Sequence, residues 1–510
     1  MDKIVVLDFG SQYSHLICRR VREASVYCEL LPHDIPAKLL QEINPKGIII
    51  SGGPASIYIE GSPRPDDGIF ELGIPILGIC YGHQLIIDRF GGKIRKSKVR
   101  EYGNSNLVID DKSDLFSNIE GNIRCWMSHS DTAELIPKNF KVLAHTDRSS
   151  SAAIVDKDKK LYGIQFHPEV LHTERGTEII KNFSFRISEA SPTWNIKNFL
   201  EMSTSEIRRK VGKDRVLCAV SGGIDSTTVA ALLHRAIGNN LQCVFVNHGL
   251  LRVGEEATVV HSFEQDLDIP LIVVNASQRF IARLQGVSDP EEKRMIIGDE
   301  FARVFSEVAS KHGPFQWLAQ GTLYPDIIES GVSRGPASII KSHHNVKGLP
   351  KWLNLKVIEP LRSLYKDEVI RLAKTLGVPV HLLKRHPFPG PGLAVRIIGE
   401  VNQEKIRIVR ESSKIVEEEL MAANFYEKVW QAYAAVGDDR AVGVIGDERF
   451  YGHIVIIRVV ESVDAMTADW VRLPHDLIGK ISNRISNEVD GVTWVTYAIS
   501  SKPPATIEPQ

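Results

Sequence analysis

The chain has few cysteines, no excess of either charge and no long apolar stretch. Its six cysteines, Cys18, Cys28, Cys80, Cys125, Cys218 and Cys243, are scattered over 510 residues and form no CxxC pair. That argues against a structural zinc site and against a disulfide framework, and it favours a reducing cytoplasm. Lys plus Arg number 62 and Asp plus Glu 63, for a net charge of -1. No basic excess exists to attract a polyanion or an anionic bilayer, so neither nucleic acid nor membrane is an expected partner. No apolar run approaches the ~20 residues needed to cross a bilayer. The opening MDKIVVLDFGSQYSHL lacks the basic, apolar and small-residue order of a signal peptide. Internal repeats and low-complexity tracts are missing too.

What is present is ordinary globular material: 43% hydrophobic and 25% charged residues, enough for about two to four domains at ~100–200 residues each. From residue 3 to about 187, short apolar runs (KIVVLDFG, GIIISGGP, IPILGIC) alternate with helical patterns such as SQYSHLICRRVREA. That rhythm predicts a mainly parallel sheet covered by helices. SEASPTWNIKNF (188–199) breaks it and reads as a linker. A second α/β unit follows, with RVLCAVSGG, LQCVFVNHG, PLIVVNAS and FQWLAQGT as strands. Val229, Leu232, Leu233, Ala236 and Ile237 form one helical face before Gly238. RHPFPGPGL (385–393) stops that unit. Beyond it come a long amphipathic helix, about Glu404 to Ala423, and the strand-like HIVIIRVVES and TWVTYAIS. The expected class is α/β: two doubly wound, mainly parallel-sheet domains (1–190 and 191–385) and a smaller α+β domain (386–510).

Two constellations carry chemistry. In PILGICYGHQL, Gly78-x-Cys80-x-Gly82 has the form of a nucleophile elbow, with small residues permitting a sharp strand-to-helix turn. A thiol at a helix start feels the positive dipole end, which favours thiolate. In YGIQFHPEV, His167 and Glu169 fall on one side of an extended segment, so Glu169 is suited to orient His167 for proton transfer. The ISGGP turn (50–54) offers backbone N–H groups to an oxyanion. A lone cysteine is more often inert, but these three features together favour covalent catalysis.

The second constellation is SGGIDS: Ser221, Gly222, Gly223, Ile224, Asp225 and Ser226. A strand, a glycine turn and a helix suit phosphate binding, yet the lysine of a Walker loop is missing. Transfer of the γ-phosphoryl group uses such a lysine. Adenylation instead expels pyrophosphate and needs a grip on the departing pair of phosphates. Gly222 and Gly223 let the backbone approach, Ser221 and Ser226 donate hydroxyls, and Asp225 is suited to hold Mg²⁺.

GICYGHQL, SGGP and GIQFHPE resemble the class I, triad-type glutamine amidotransferases across the first ~190 residues. The resemblance implies glutamine hydrolysis through a cysteinyl thioester, with Cys80 as nucleophile, His167 as base and Glu169 as its orienter. It further implies an oxyanion hole from the N–H groups of Gly53 and Tyr81, and a glutamine pocket lined by Gln84 and a turn at SHSD (128–131). SGGIDS resembles the PP-loop of the ATP pyrophosphatases, with Lys341 a candidate for a lysine arriving from elsewhere. FVNHGLLR, DPEEKRMIIG, QGTLYPDIIES, IKSHHNV, RHPFPGPGLAVR and KPPATIE are similar, in order, to segments of the GMP synthetase family. That resemblance implies adenylation of XMP at its C2 oxygen, displacement of AMP by ammonia, XMP binding by Arg252, Lys502 and Glu508 with help from Arg385, and a homodimer formed by the last domain. Asp326 lies in a loop suited to face Mg²⁺ or nucleotide. The sequence departs from the family at Ser130, Asn247, Lys347 and the Pro509-Gln510 ending. An NAD-synthetase-like ligase with another acceptor is the alternative.

Overall fold

The structure, a computed structural model, describes residues 1–326, 355–445, 447–462 and 467–510; of residues 97–100 and 445 only the backbone is described. It divides into two compact units, Met1–Phe199 and Leu200–Gln510. Trp194 ties the expected linker to the first unit. Its N–H donates to the Ser25 carbonyl at 2.7 Å, and its ring lies 4.8 Å from that of Tyr27. The helix Ile196–Val211 then begins inside the stretch that reads as linker.

Among the described residues the first unit holds nine strands: β1 (Lys3–Asp8), β2 (Tyr27–Pro32), β3 (Gly47–Ile50), β4 (Ile76–Ile79), β5 (Lys93–Ile109), β6 (Ile123–Leu135), β7 (Lys141–His145), β8 (Ala153–Asp156) and β9 (Leu161–Ile164). Their order is β2-β1-β3-β4-β9-β8-β7-β5-β6. The half from β2 to β9 is parallel, as expected. The half from β9 to β6 is antiparallel. Short connections such as Lys157–Lys160, where Lys160 N–H returns to Lys157 O at 3.2 Å, are too brief for a crossover helix and force antiparallel pairing. SHSD is no turn: it lies inside β6, opposite β5. Cys125, Met127, His129 and Asp131 alternate inward along it, the period of a strand. Val5, Leu7, Ile48, Ile50 and Ile76 fill the core beside the helix Tyr81–Arg89.

The second unit holds β10 (Val216–Val220), β11 (Leu241–Asn247), β12 (Leu271–Asn275), β13 (Trp317–Ala319) and β14 (Lys356–Ile358), all parallel, in the order β12-β11-β10-β13-β14. The order reverses between β10 and β13, so the crevice for a ligand opens at their carboxyl ends. A mostly antiparallel sheet follows, of β15 (Gln431–Ile445), β16 (Glu448–Glu461), β17 (Asp469–Trp470) and β18 (Val492–Tyr497), backed by the helix Gln403–Ala422. One continuous apolar cluster runs from Leu217 and Val244 through Leu393 to Val436 and Ile457. Among the described residues, no helix is long and apolar enough to cross a membrane.

Candidate functional site

The first site stands at the carboxyl ends of β4, β3 and β9. Cys80 leaves β4 at φ 53° and ψ -100° and starts the helix Tyr81–Arg89. A non-glycine residue with such angles is strained, a cost of about 1–3 kcal/mol that the surroundings must hold in place. The turn closes only because Gly78 and Gly82 have no side chains. A Cβ on Gly78 would lie 2.4 Å from the Gly82 carbonyl, and one on Gly82 would lie 2.5 Å from the Ile50 carbonyl oxygen. Both obstacles are backbone, so alanine does not fit without moving a strand.

His167 follows β9, and its Nδ1 lies 2.8 Å from Oε1 of Glu169. His167 is 4% exposed and Glu169 0%. With Nδ1–H donating to the carboxylate, Nε2 is left to accept a proton. Burial opposes an imidazolium here. The Glu169 charge and hydrogen bonding to Cys80 and Glu169 outweigh it and hold the His167 pKa well above its usual value. Gly52, in the expected oxyanion turn, is the neighbour of both groups: a Cβ on it would stand 3.3 Å from His167 Cε1 and 3.6 Å from Cys80 Cβ. The structure therefore brings Cys80, His167, Glu169 and the 50–54 turn together. Tyr81 is buried, with its hydroxyl donating to the Pro63 carbonyl at 2.8 Å. Gln84 is also buried, and its Nε2 contacts the Asp131 carbonyl at 3.4 Å and Gln165 Oε1 at 3.3 Å. Gln165 Nε2 in turn reaches Cys80 Sγ at 3.7 Å.

The second site is the turn after β10. Gly222 sits at φ +77°, and a Cβ there would strike Val259 Cγ2 at 2.4 Å. Ser221 N–H donates to Ser226 Oγ at 3.1 Å, and Ser226 Oγ donates to the Gly223 carbonyl at 3.1 Å, so the hydroxyls are gathered on the loop. The segment after β13 closes against it: a Cβ on Gly321 would lie 3.6 Å from Asp225 Cβ. Asp326 accepts the Leu323 N–H at 2.9 Å. Lys341 lies outside the described residues. A different lysine reaches the loop: Lys366 Nζ bonds both Asp225 oxygens, at 2.6 and 2.7 Å. Sequence reasoning missed it, although one signal existed. Lys366 opens the helix Lys366–Thr375, at the end where the dipole disfavours a cation.

The expected XMP residues fall into two groups. Arg252 Nη2 donates to the His386 carbonyl at 2.8 Å, and Arg385 Nη2 pairs with Glu255 Oε1 at 3.0 Å. Around them, Arg252 Nε, Arg385 Nη1, Glu255 Oε2 and His386 Nδ1 are buried without a hydrogen-bond partner among the described residues. Burial raises the Glu417 pKa in spite of Arg252, Arg396 and Arg385 nearby. Unsatisfied buried polar groups are costly, and four of them stand together here. Glu508 belongs to the tail. Arg396, 1% exposed, holds it through Nε and Nη2 at 3.2 and 3.1 Å, and Gln431 Nε2 adds a bond at 2.6 Å. Arg458 fixes the Ser500 and Thr506 carbonyls at 2.6 and 3.1 Å. Lys502 bridges Ala468 by backbone bonds of 2.7 and 3.1 Å. The tail is therefore pinned rather than frayed.

Comparison with known proteins agrees with this division of labour. The family model of class-I glutamine amidotransferases matches residues 5–187, that of the PP-loop domain residues 195–291, and that of the GMP synthase C-terminal domain residues 418–509. Three curated relatives are named GMP synthase [glutamine-hydrolyzing]. The one from Caldanaerobacter subterraneus is 52% identical over 507 residues, with 99% of each chain covered. The one from Caldicellulosiruptor saccharolyticus is 53% identical over 506 residues, also with 99% of each. The one from Synechocystis is 52% identical over 512 residues, with 99% of this chain and 94% of the relative. The chain belongs to the glutamine-hydrolysing GMP synthase family. An identity of this level over the whole length does not favour the NAD-synthetase-like alternative. Family membership also accounts for both sites in one chain: an amidotransferase releases ammonia, and a PP-loop enzyme activates the group that receives it.

Proposed function

We propose that this chain makes GMP from XMP, ATP and glutamine, and that the residues above carry the two half-reactions. The observation that carries the reading is the convergence of Cys80, His167 and Glu169 in a chain that also opens a helix with a lysine-free Ser221–Ser226 loop at its sheet's switch point.

Cys80 Sγ attacks the glutamine amide carbon as its proton passes to His167. The N–H groups of Gly53 and Tyr81 receive the oxyanion, and Gln84 helps shape the pocket. Collapse of the tetrahedral adduct breaks the C–N bond, His167 returns the proton to the leaving nitrogen, and water then releases glutamate from the thioester. In the second unit the XMP C2 oxygen attacks the α-phosphorus and pyrophosphate departs. Backbone N–H groups of Gly222, Gly223 and Ile224 and the hydroxyls of Ser221 and Ser226 suit that leaving group. Ammonia displaces AMP at C2. Arg252, Arg385 and Lys502 match the charge of the XMP phosphate; Glu508 suits ring or ribose donors.

A resident all-protein metal cage finds no support: no group of three His, Cys, Asp or Glu that could hold an ion occurs among the described residues. One half-buried carboxylate beside a phosphate loop does fit Mg²⁺ that arrives with ATP. Asp225 would hold it, and the ion would supply charge neutralisation on the phosphates. Lys366 then turns from Asp225 to phosphate oxygens, which answers the missing Walker lysine. We divide the chain into domains at 1–190, 191–385 and 386–510. Val442, Val444, Tyr451 and Trp494 stay exposed on the last sheet, which supports a homodimer through that face. All six cysteines are free and buried, which supports a cytoplasmic setting.

The test is the product split. ATP with XMP and ammonium salts should give AMP and pyrophosphate; ADP and phosphate would refute the adenylating assignment. Cys80→Ala should abolish glutamine-dependent GMP formation and keep the ammonium-dependent reaction. Loss of both in a folded variant would remove Cys80 from its role.

A further inference from the structure

Gln165 is buried on the segment that leads from β9 to His167, where its side chain meets Gln84 of the helix that follows Cys80. It is 1% exposed. Its backbone N–H is held by the Ala152 carbonyl at 2.8 Å. It stands two residues before His167, on the bend that follows β9. Hydrogen bonding joins both side chains to the same sulfur.

The direction of the Gln165 amide is fixed. Its Oε1 accepts from Gln84 Nε2 at 3.3 Å, and Gln84 Nε2 also contacts the Asp131 carbonyl at 3.4 Å. With the oxygen taken, the NH₂ end faces Cys80 Sγ at 3.7 Å. A neutral thiol is a weak acceptor, whereas a thiolate is a full anion and draws a stronger, charge-assisted bond. The Ser128 carbonyl lies 3.8 Å from the same sulfur and can only accept, so it serves the thiol form. The Gln165 amide is a donor and serves the thiolate.

We propose that Gln165 is a further catalytic residue of the glutaminase half: its amide N–H donates to Cys80 Sγ and stabilises the negative charge that grows there as the proton moves to His167. This rests on the nucleophile role given to Cys80 above. Gln84 acts through Gln165 as a positioning residue, because its amide sets which end of Gln165 meets the sulfur. Gln165 thereby does for the nucleophile what an oxyanion hole does for the substrate.

The titratable groups of the surrounding elements are His167 with Glu169 after β9, Asp131 with Tyr58 at 2.9 Å, the His129–Glu101 pair on β6 and β5 at 3.4 Å, and His83 on the helix. None of them is replaced in the Gln165 variants, and Gln165→Leu adds no charge beside them.

The experiment uses the full chain with Gln165→Leu and Gln165→Glu, and follows alkylation of Cys80 by iodoacetamide against pH. Ammonium-dependent GMP formation serves as the control for folding. In Gln165→Leu the alkylation midpoint should rise by about one pH unit, a tenfold change in the thiol–thiolate balance. Glutaminase kcat should fall about tenfold or more with KM for glutamine nearly constant. Gln165→Glu keeps the shape, puts an anion beside the sulfur, and should move the midpoint further in the same direction. An unchanged midpoint in both variants overturns the proposal. So does a KM effect with kcat preserved, which would make Gln165 a pocket wall. Either result leaves the Cys80→Ala test of the nucleophile itself standing.

Discussion

Gly222→Ala tests the geometry of the phosphate loop most severely, because two separate costs meet at one methyl group. The backbone there stands at φ +77°, and an alanine in the left-handed region costs about 1–2 kcal/mol. The new Cβ would lie 2.4 Å from Val259 Cγ2. Val259 is fully buried, so overpacking adds about 1–3 kcal/mol. The core neighbour has nowhere to go, and the loop is the part that yields. The combined cost of about 2–5 kcal/mol should therefore appear as a fall of roughly 30- to several-thousand-fold in kcat/KM for ATP. The assay is AMP formation from ATP and XMP with ammonium salts, so that the thiol half plays no part. Val259→Ala separates the two costs. Alone it should lower stability by about 1–3 kcal/mol and leave the rate within about threefold. Combined with Gly222→Ala it makes room for the methyl group and should recover the steric share, leaving the conformational one. The double variant should thus be better than the sum of the singles by about 1–3 kcal/mol. Full activity of Gly222→Ala, or no recovery on adding Val259→Ala, would refute the reasoning.

Four further outcomes are expected. Lys366→Met should lower AMP formation about 100-fold with either nitrogen source, and Asp225→Ala should block it; retained turnover in both would remove the Asp225–Lys366 pair from the ATP half-reaction. Glu169→Gln removes the charge that raises the His167 pKa and leaves the burial that lowers it, so imidazolium becomes harder to form and glutaminase activity falls. The linked stability effect has a definite sign. A histidine whose pKa is raised by folding contributes fully below about pH 6.5 and loses that contribution as pH climbs through the raised value. The gap in unfolding midpoint between parent and Glu169→Gln should be widest in acid and narrow toward alkaline pH; a gap constant across that range contradicts the pairing.

These sites were legible in the sequence to the extent that their parts are local. Cys80 stands within two residues of the glycines that permit its turn. His167 and Glu169 are one residue apart, and although the chain there turns after β9 instead of running extended, the two still meet at 2.8 Å. The Ser221–Ser226 loop is contiguous. What escaped was either nonlocal or disguised. Lys366 lies 141 residues from Asp225, and Arg396 lies 112 from Glu508; no periodicity links such partners. SHSD is implied to be a turn by the family resemblance, and serine and aspartate favour one. Its inward positions carry His129 and Asp131, whose polarity hid the alternation that Cys125 and Met127 had begun. Both are tolerated inside because they have partners: the Asp131 carbonyl accepts from His129 Nδ1 at 2.8 Å, and Tyr58 donates to its carboxylate at 2.9 Å. The antiparallel half of the first sheet was missed for a related reason. β8 and β9 are buried along their whole length, and strands of that kind look alike whichever way they run; only the shortness of their connection tells.

The same distinction explains why a loop without its own lysine can still serve a nucleotide. A Walker lysine is part of the turn that holds the phosphates, so its charge is fixed there by the local sequence. In this chain the turn carries a carboxylate, and the cation comes from a helix 141 residues away, held at 2.6 and 2.7 Å. The pair is neutral as a whole, so the first attraction for a phosphate chain falls to backbone N–H groups and the helix dipole. On the role proposed for Lys366, the ammonium has two places to be, on Asp225 or on phosphate, and changes between them with the ligand. A lysine confined to the turn has no such choice. If Lys366→Arg, which keeps the charge but spreads it over a planar fork, restored the rate lost in Lys366→Met, charge alone would suffice; a partial return would show that a compact, movable ammonium is what the loop requires.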